Sequence, residues 1–149
     1  MQAHFCVHYT LSDGYAQLKS FAKYLPEVSM VATCGGIPIK PQIERLKTPT
    51  HIVVATPGRL IDLIQKKAIS LKDTKFLILD EADEMVSILK ESLDEIVAEL
   101  PKEHKTLLFS ATMPGTIKQL IQNYLHKNVV QVSANMETVG NQGIDHEFI

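Results

Sequence analysis

Phe76-Leu77-Ile78-Leu79-Asp80-Glu81-Ala82-Asp83 is the stretch on which the reading of this chain turns. Its apolar run is too short for a buried helix, suits a strand covered on both faces, and ends abruptly in acid. In an open parallel sheet ligands gather beyond the carboxyl ends of the strands, so carboxylates there call for a functional reading. Asp80 stands where a hydrated magnesium ion can be held beside a nucleotide phosphate, and Glu81 is a candidate to accept a proton from an attacking water. The plainer reading is a helix beginning near Glu84, whose positive end favours acids. These residues alone leave both open.

Working outward, similar short β-rich runs recur at Val28 to Thr33, His51 to Ala55, Thr106 to Ser110 and Val129 to Val132. Between them lie segments with helical spacing: Ala16 to Leu25, Lys40 to Lys47, Gly58 to Lys66, Glu84 to Leu100 and Thr116 to His126. This alternation predicts an α/β fold, a mainly parallel sheet with helices on both faces. Its strand ends carry Gly35-Gly36, Thr56-Pro57-Gly58-Arg59, Asp80-Glu81-Ala82-Asp83 and Ser110-Ala111-Thr112. Thr56 is a good N-cap and Pro57 suits the first helical position, so the amides that follow can attract phosphate oxygens, with Arg59 adding a forked cation. Gly35-Gly36 lets a partner approach backbone closely, or is simply a turn. Ser110 and Thr112 have an ordinary role open to them as caps for a helix starting at Met113-Pro114.

The rest of the sequence narrows the field. At 149 residues and 45% hydrophobic, the chain can bury one sizeable core. A net charge of -2 announces no polyanion partner, so any nucleic-acid contact has to be local. Cys6 and Cys34 form no CxxC pair and fit buried thiols. The 6 histidines are scattered, and His4 and His8 have no third ligand nearby. No apolar run approaches the roughly 18 residues of a membrane span, and no signal-peptide pattern opens the chain, so a cytoplasmic protein with no membrane partner is expected.

Asp80-Glu81-Ala82-Asp83 at the end of an apolar strand resembles the motif that names the DEAD-box ATP-dependent RNA helicases. The other strand-end motifs occur in the order that family has them. The resemblance implies a three-layer, RecA-like fold of the P-loop NTPase type, with residues 1–149 as part of the first RecA-like, ATP-binding domain and a second RecA-like domain elsewhere. It implies ATP and magnesium as cofactors, and single-stranded or duplex RNA, bound without sequence preference, as partner. It implies that Asp80 holds magnesium through water, that Asp80 and Glu81 are catalytic, and that Gly35, Gly36, Thr56, Pro57, Gly58 and Arg59 grip the RNA backbone. Asp83, Ser110 and Thr112 then couple hydrolysis to RNA unwinding, and a bond under about 3 Å from Ser110 or Thr112 to Asp83 is expected.

The chain also departs from that pattern. Its glycines, at 14, 35, 36, 58, 115, 140 and 143, include no G-x-x-x-x-G-K-[ST] loop, so the chain alone is expected not to hydrolyse ATP. A Pro-Thr-Arg-Glu-Leu motif is not restored between Phe5 and Gly14, and the segment from Met85 to Leu89 lacks the usual glycine before an aromatic residue. In related folds the strand carrying the phosphate loop lies between those of Thr106 to Ser110 and Val129 to Val132. Without it the sheet should have a gap near its middle, or the N-terminal segment should close one. The alternatives are an inactive RNA- or protein-binding remnant of such a helicase and, more remotely, a receiver-type signalling domain.

Overall fold

The computed structural model describes residues 4–8, 12–125 and 129–133. Its strands are β1 (His4–His8), β2 (Met30–Thr33), β3 (Ile52–Ala55), β4 (Phe76–Asp80) and β5 (Lys105–Leu108). They form one sheet in the order β2-β3-β1-β4-β5, and every neighbouring pair is parallel. The helices are α1 (Ser12–Phe21), α2 (Ile39–Leu46), α3 (Pro57–Gln65), α4 (Ala82–Ala98) and α5 (Gly115–Tyr124).

Burial alternates along β4 as the pleat requires: Leu77 and Leu79 are fully covered, whereas Phe76, Ile78 and Asp80 are half-buried. Leu77 and Leu79 share a core with Val53 and Ala55 of β3, Leu60 of α3, Met85, Leu93 and Ile96 of α4, and Ile117 of α5. Helices α3, α4 and α5 therefore line one face. The chain steps from β1 out to the far edge at β2, returns through β3 and crosses β1 to reach β4; the right-handed rule for parallel crossovers assigns α1 to the face opposite these helices. Among the described residues no helix is long and apolar enough to cross a membrane.

One strand was not expected and one expected strand is missing. His4–His8, which the apolar runs did not mark, lies between β3 and β4 and pairs with both, whereas the gap was expected beside the strand of Thr106 to Ser110. Val129 to Val132 forms no strand, and Val130 and Val132 are 87% and 90% exposed. Valine favours a pleated, half-buried surface, and no strand among the described residues pairs with this run to make one. The outer edge of β5 consequently has no strand beside it among the described residues, and Leu107 and Phe109 are largely exposed.

Candidate functional site

All the strands point the same way, so the polar motifs of the sequence meet along one rim of the sheet. The order from β1 to β3 and back across to β4 makes the β1/β4 boundary a topological switch point, where crevices form. Pairing of His8 with Asp80 and of Val7 with Ala55 fixes this level. With strands about 4.8 Å apart, the ends of β3 and β4 are separated by roughly 10 Å, the width of β1 between them. The predicted residues thus divide into two clusters.

The acidic cluster occupies the ends of β4 and β5. Asp80 is half-buried, and its Oδ1 accepts the Glu81 N–H at 3.0 Å. Glu81 has a left-handed backbone, φ 54 and ψ 46, which a residue with a Cβ holds at a cost of about 1–2 kcal/mol. That turn ends the strand and starts α4 at once: the Glu84 and Met85 amides donate to the Glu81 carbonyl at 3.1 and 3.2 Å. Asp83 and Glu84 lie in the first turn, where the helix dipole favours acids, but Asp80 still belongs to the strand.

The strand ladder continues past its formal end, with Phe109 N–H donating to Leu79 O at 2.8 Å and Ala82 N–H to Phe109 O at 3.0 Å. These bonds hold the start of α4 against the Ser110 to Thr112 segment. Thr112 then donates twice to Asp83 Oδ2, from its hydroxyl at 2.8 Å and its amide at 3.1 Å. The Thr112 hydroxyl is the main cause of an Asp83 carboxyl held below the usual range, against desolvation in the other direction; the amides of Asp83 and Thr112 add to it. Ser110 has one hydroxyl proton to give, and it goes to the Thr112 carbonyl at 2.7 Å, shaping the turn. Helix α5 is capped by Pro114 without a side-chain bond, so neither hydroxyl serves as its cap.

The second cluster joins the ends of β2 and β3. Thr56 occupies the N-cap position of α3, yet its hydroxyl does not cap the helix; it accepts the Gly35 N–H at 3.4 Å. The first intrahelical bond runs from Leu60 N–H to Thr56 O, leaving the Gly58 and Arg59 amides ahead of the ladder beside Pro57, which has no N–H. Arg59 does not project into solvent. Its side chain is 9% exposed, Nη2 donates to Ile37 O at 3.0 Å, Nε pairs with Asp62 Oδ2 at 3.7 Å, beyond hydrogen-bond reach, and Nη1 is buried without a hydrogen-bond partner. Gly36 takes a φ of 78, which accounts for a glycine there. A Cβ built on Gly35, Gly36 or Gly58 would meet nothing within 4 Å, so open space faces all three.

The donor set can be compared with the groups that the sequence implies. Among the described residues no three His, Cys, Asp or Glu side chains gather as a metal cage. Asp80 with Glu81 beside it suits magnesium, which keeps several waters and takes one or two carboxylates together with phosphate oxygens. A triphosphate needs in addition a lysine and a backbone nest, and the 149 residues carry no G-x-x-x-x-G-K-[ST] to provide them. The fit extends to the metal and not to the phosphate chain.

Sequence reasoning overlooked Gln42. It is 3% exposed on α2, and all its amide bonds go to the glycine loop. Four residues after Pro38 and six after Gly36, it looks in the sequence like any polar helix residue, and only its burial distinguishes it. The Tyr9 to Leu11 part of the Pro-Thr-Arg-Glu-Leu comparison lies outside the described residues.

Comparison with known proteins agrees with this geometry. The family model described as DEAD/DEAH box helicase matches residues 11–120. The DEAD-box ATP-dependent RNA helicase CshA of Streptococcus pneumoniae is 50% identical over 94 residues, which cover 62% of this chain and 18% of that protein. The DEAD-box ATP-dependent RNA helicase 6 of Arabidopsis thaliana is 40% identical over 110 residues, 73% of this chain and 21% of that one. The chain spans about a fifth of the length of these curated relatives. With the strand-end motifs in place on a parallel α/β sheet and the match running through all of them, the chain belongs to the DEAD/DEAH box helicase family.

Proposed function

We propose that the chain is part of the first RecA-like domain of an ATP-dependent RNA helicase, and that it grips the RNA backbone at one cluster and couples nucleotide hydrolysis to RNA remodelling at the other. The observation that carries this reading is the pair of hydrogen bonds from Thr112 to Asp83, at 2.8 and 3.1 Å. It links the acidic strand end to the adjacent strand end, so a movement at Asp80 and Glu81 is transmitted to the β5 side. Asp80 would hold magnesium through water, and Glu81 would accept the proton of the attacking water. ATP binding would need a phosphate loop and a second RecA-like domain beyond these residues, so the 149-residue chain by itself does not hydrolyse ATP. The protein would work in the cytoplasm.

At the other cluster, the Gly35, Gly36, Thr56, Pro57, Gly58 and Arg59 surface offers backbone amides and open space, with the Arg59 guanidinium turned in behind it to hold the Ile37 carbonyl. These are groups that hold phosphates and read no base, so single-stranded and duplex RNA of any sequence would serve. Fluorescence anisotropy with labelled U10, A10 and a duplex tests the binding. Comparable, salt-sensitive affinities are expected, with no phosphate release when ATP is added. Binding confined to one sequence, or ATP turnover by this chain that Asp80→Asn abolishes, would refute the reading.

A further inference from the structure

The glycine loop owes its shape to Gln42. This side chain is 3% exposed, and it commits its whole amide to one loop. Oε1 accepts the Cys34 N–H at 3.1 Å, and Nε2 donates to Cys34 O and to Pro38 O, both at 3.2 Å. The amide thus holds the first residue after β2 by both its backbone groups and clamps the residue where α2 begins. Gly35 and Gly36 lie between those fixed points. From the other side, Thr56 Oγ1 receives the Gly35 N–H and Arg59 Nη2 holds the Ile37 carbonyl.

A loop built on two adjacent glycines has little conformational preference of its own, and it would lose much entropy on binding a ligand. Gly36, at φ 78, is exposed, and its N–H has no partner among the described residues. An exposed loop amide binds a phosphate well only if it is held in place beforehand. Core packing alone does not account for Gln42. A leucine or methionine would fill the volume, whereas the amide matches one backbone donor and two backbone acceptors of this loop.

We infer that Gln42 is a positioning residue that preorganises the Gly35-Gly36 turn, and with it the Gly36 amide, for an RNA phosphate. The inference rests on the reading of this loop as an RNA backbone contact. Gln42 need not touch RNA.

The test uses the full 149-residue chain and Gln42→Met, which keeps the volume and removes all three bonds. Without RNA, amide exchange at Cys34 and Gly36 should speed up at least tenfold while exchange in the β4 core stays as in the wild type. With a single-stranded U10 oligonucleotide, affinity should fall about five- to thirtyfold, as for a loss of 1–2 kcal/mol. The slope of log K against log salt should stay as in the wild type, because neither Gln42 nor the Gly36 amide carries a charge. A residue that served only global stability would lower the unfolding temperature and leave both the U10 affinity of the folded chain and the loop exchange unchanged, and that result would overturn the inference. If Gln42→Met fails to fold, Gln42→Asn, one methylene shorter, answers the same questions, with a loosened loop expected. If the wild-type chain binds no U10, the RNA reading fails, and the exchange measurement still decides whether Gln42 orders the loop.

Discussion

Replacing Thr112 by valine removes one hydroxyl, keeps the shape of the side chain, and tests the Asp83 link directly. The wild-type carboxylate receives the Thr112 hydroxyl at 2.8 Å and amide at 3.1 Å, and the variant keeps only the second. Hydrogen bonds to charged groups are worth about 1.5–3 kcal/mol, but water competes at this exposed site, and about 0.5–1 kcal/mol is the appropriate expectation. For a domain of this size that lowers the unfolding temperature by about 1–4 °C. The sharper readout is the titration of Asp83, followed by NMR at its carboxyl carbon. In the wild type it should titrate below the usual carboxylate range, chiefly because of the Thr112 hydroxyl. A depressed folded pKa means stability that is present above the unfolded value, about 3.9, and is lost as pH falls through the folded one. Thr112→Val should move the Asp83 midpoint back up and make the acid loss of stability smaller. An unchanged midpoint would refute the assignment of the link.

Two further outcomes follow from the same structure. Arg59→Ala, which removes the bond to Ile37 and the buried guanidinium, should loosen the glycine loop and weaken single-stranded RNA binding equally across sequences; a sequence-selective loss in anisotropy would contradict this. The Tyr124 phenol donates to Asp94 and ties α5 to α4, and burial, followed by that bond and the Asp94 charge, pushes its pKa up to about 12. Because the folded value lies above the unfolded one, Tyr124 makes stability fall as pH rises from about 10 to about 12, and urea midpoints should fall less steeply there in Tyr124→Phe than in the wild type.

The strand ends were legible because apolar runs such as Phe76 to Leu79 stop at polar motifs, and a run so short and so uniformly apolar fits a strand covered on both faces better than any helix. The Thr112 bond to Asp83 followed from adjacency of neighbouring strand ends, which pairing of Leu79 with Leu108 supplies. Strand β1 was hidden because histidines bracket its short apolar centre and its place in the sheet depends on two partners distant in sequence. Val129 to Val132 misled for the opposite reason: its composition favours a strand, but pairing is a tertiary event. Thr56 shows the limit of local rules. It stands at the N-cap, as its residue type suggests, but a glycine loop 21 residues earlier competes for its hydroxyl. Gln42 and the turned-in Arg59 could not be read at all without knowing what their loops do.

The RNA backbone proposed to lie on the ends of β2 and β3 would touch their amides. Titration of the isotope-labelled chain with U10 and with A10, followed by amide chemical shifts, tests it most directly. Gly35, Gly36, Gly58 and Arg59 should shift together and alike for both oligonucleotides, while the N-terminal ends of β4 and β5, where Lys72, Lys75 and Lys105 line a separate pocket, stay still. Shifts centred on those lysines, with the glycine loop and the start of α3 unmoved, would contradict it.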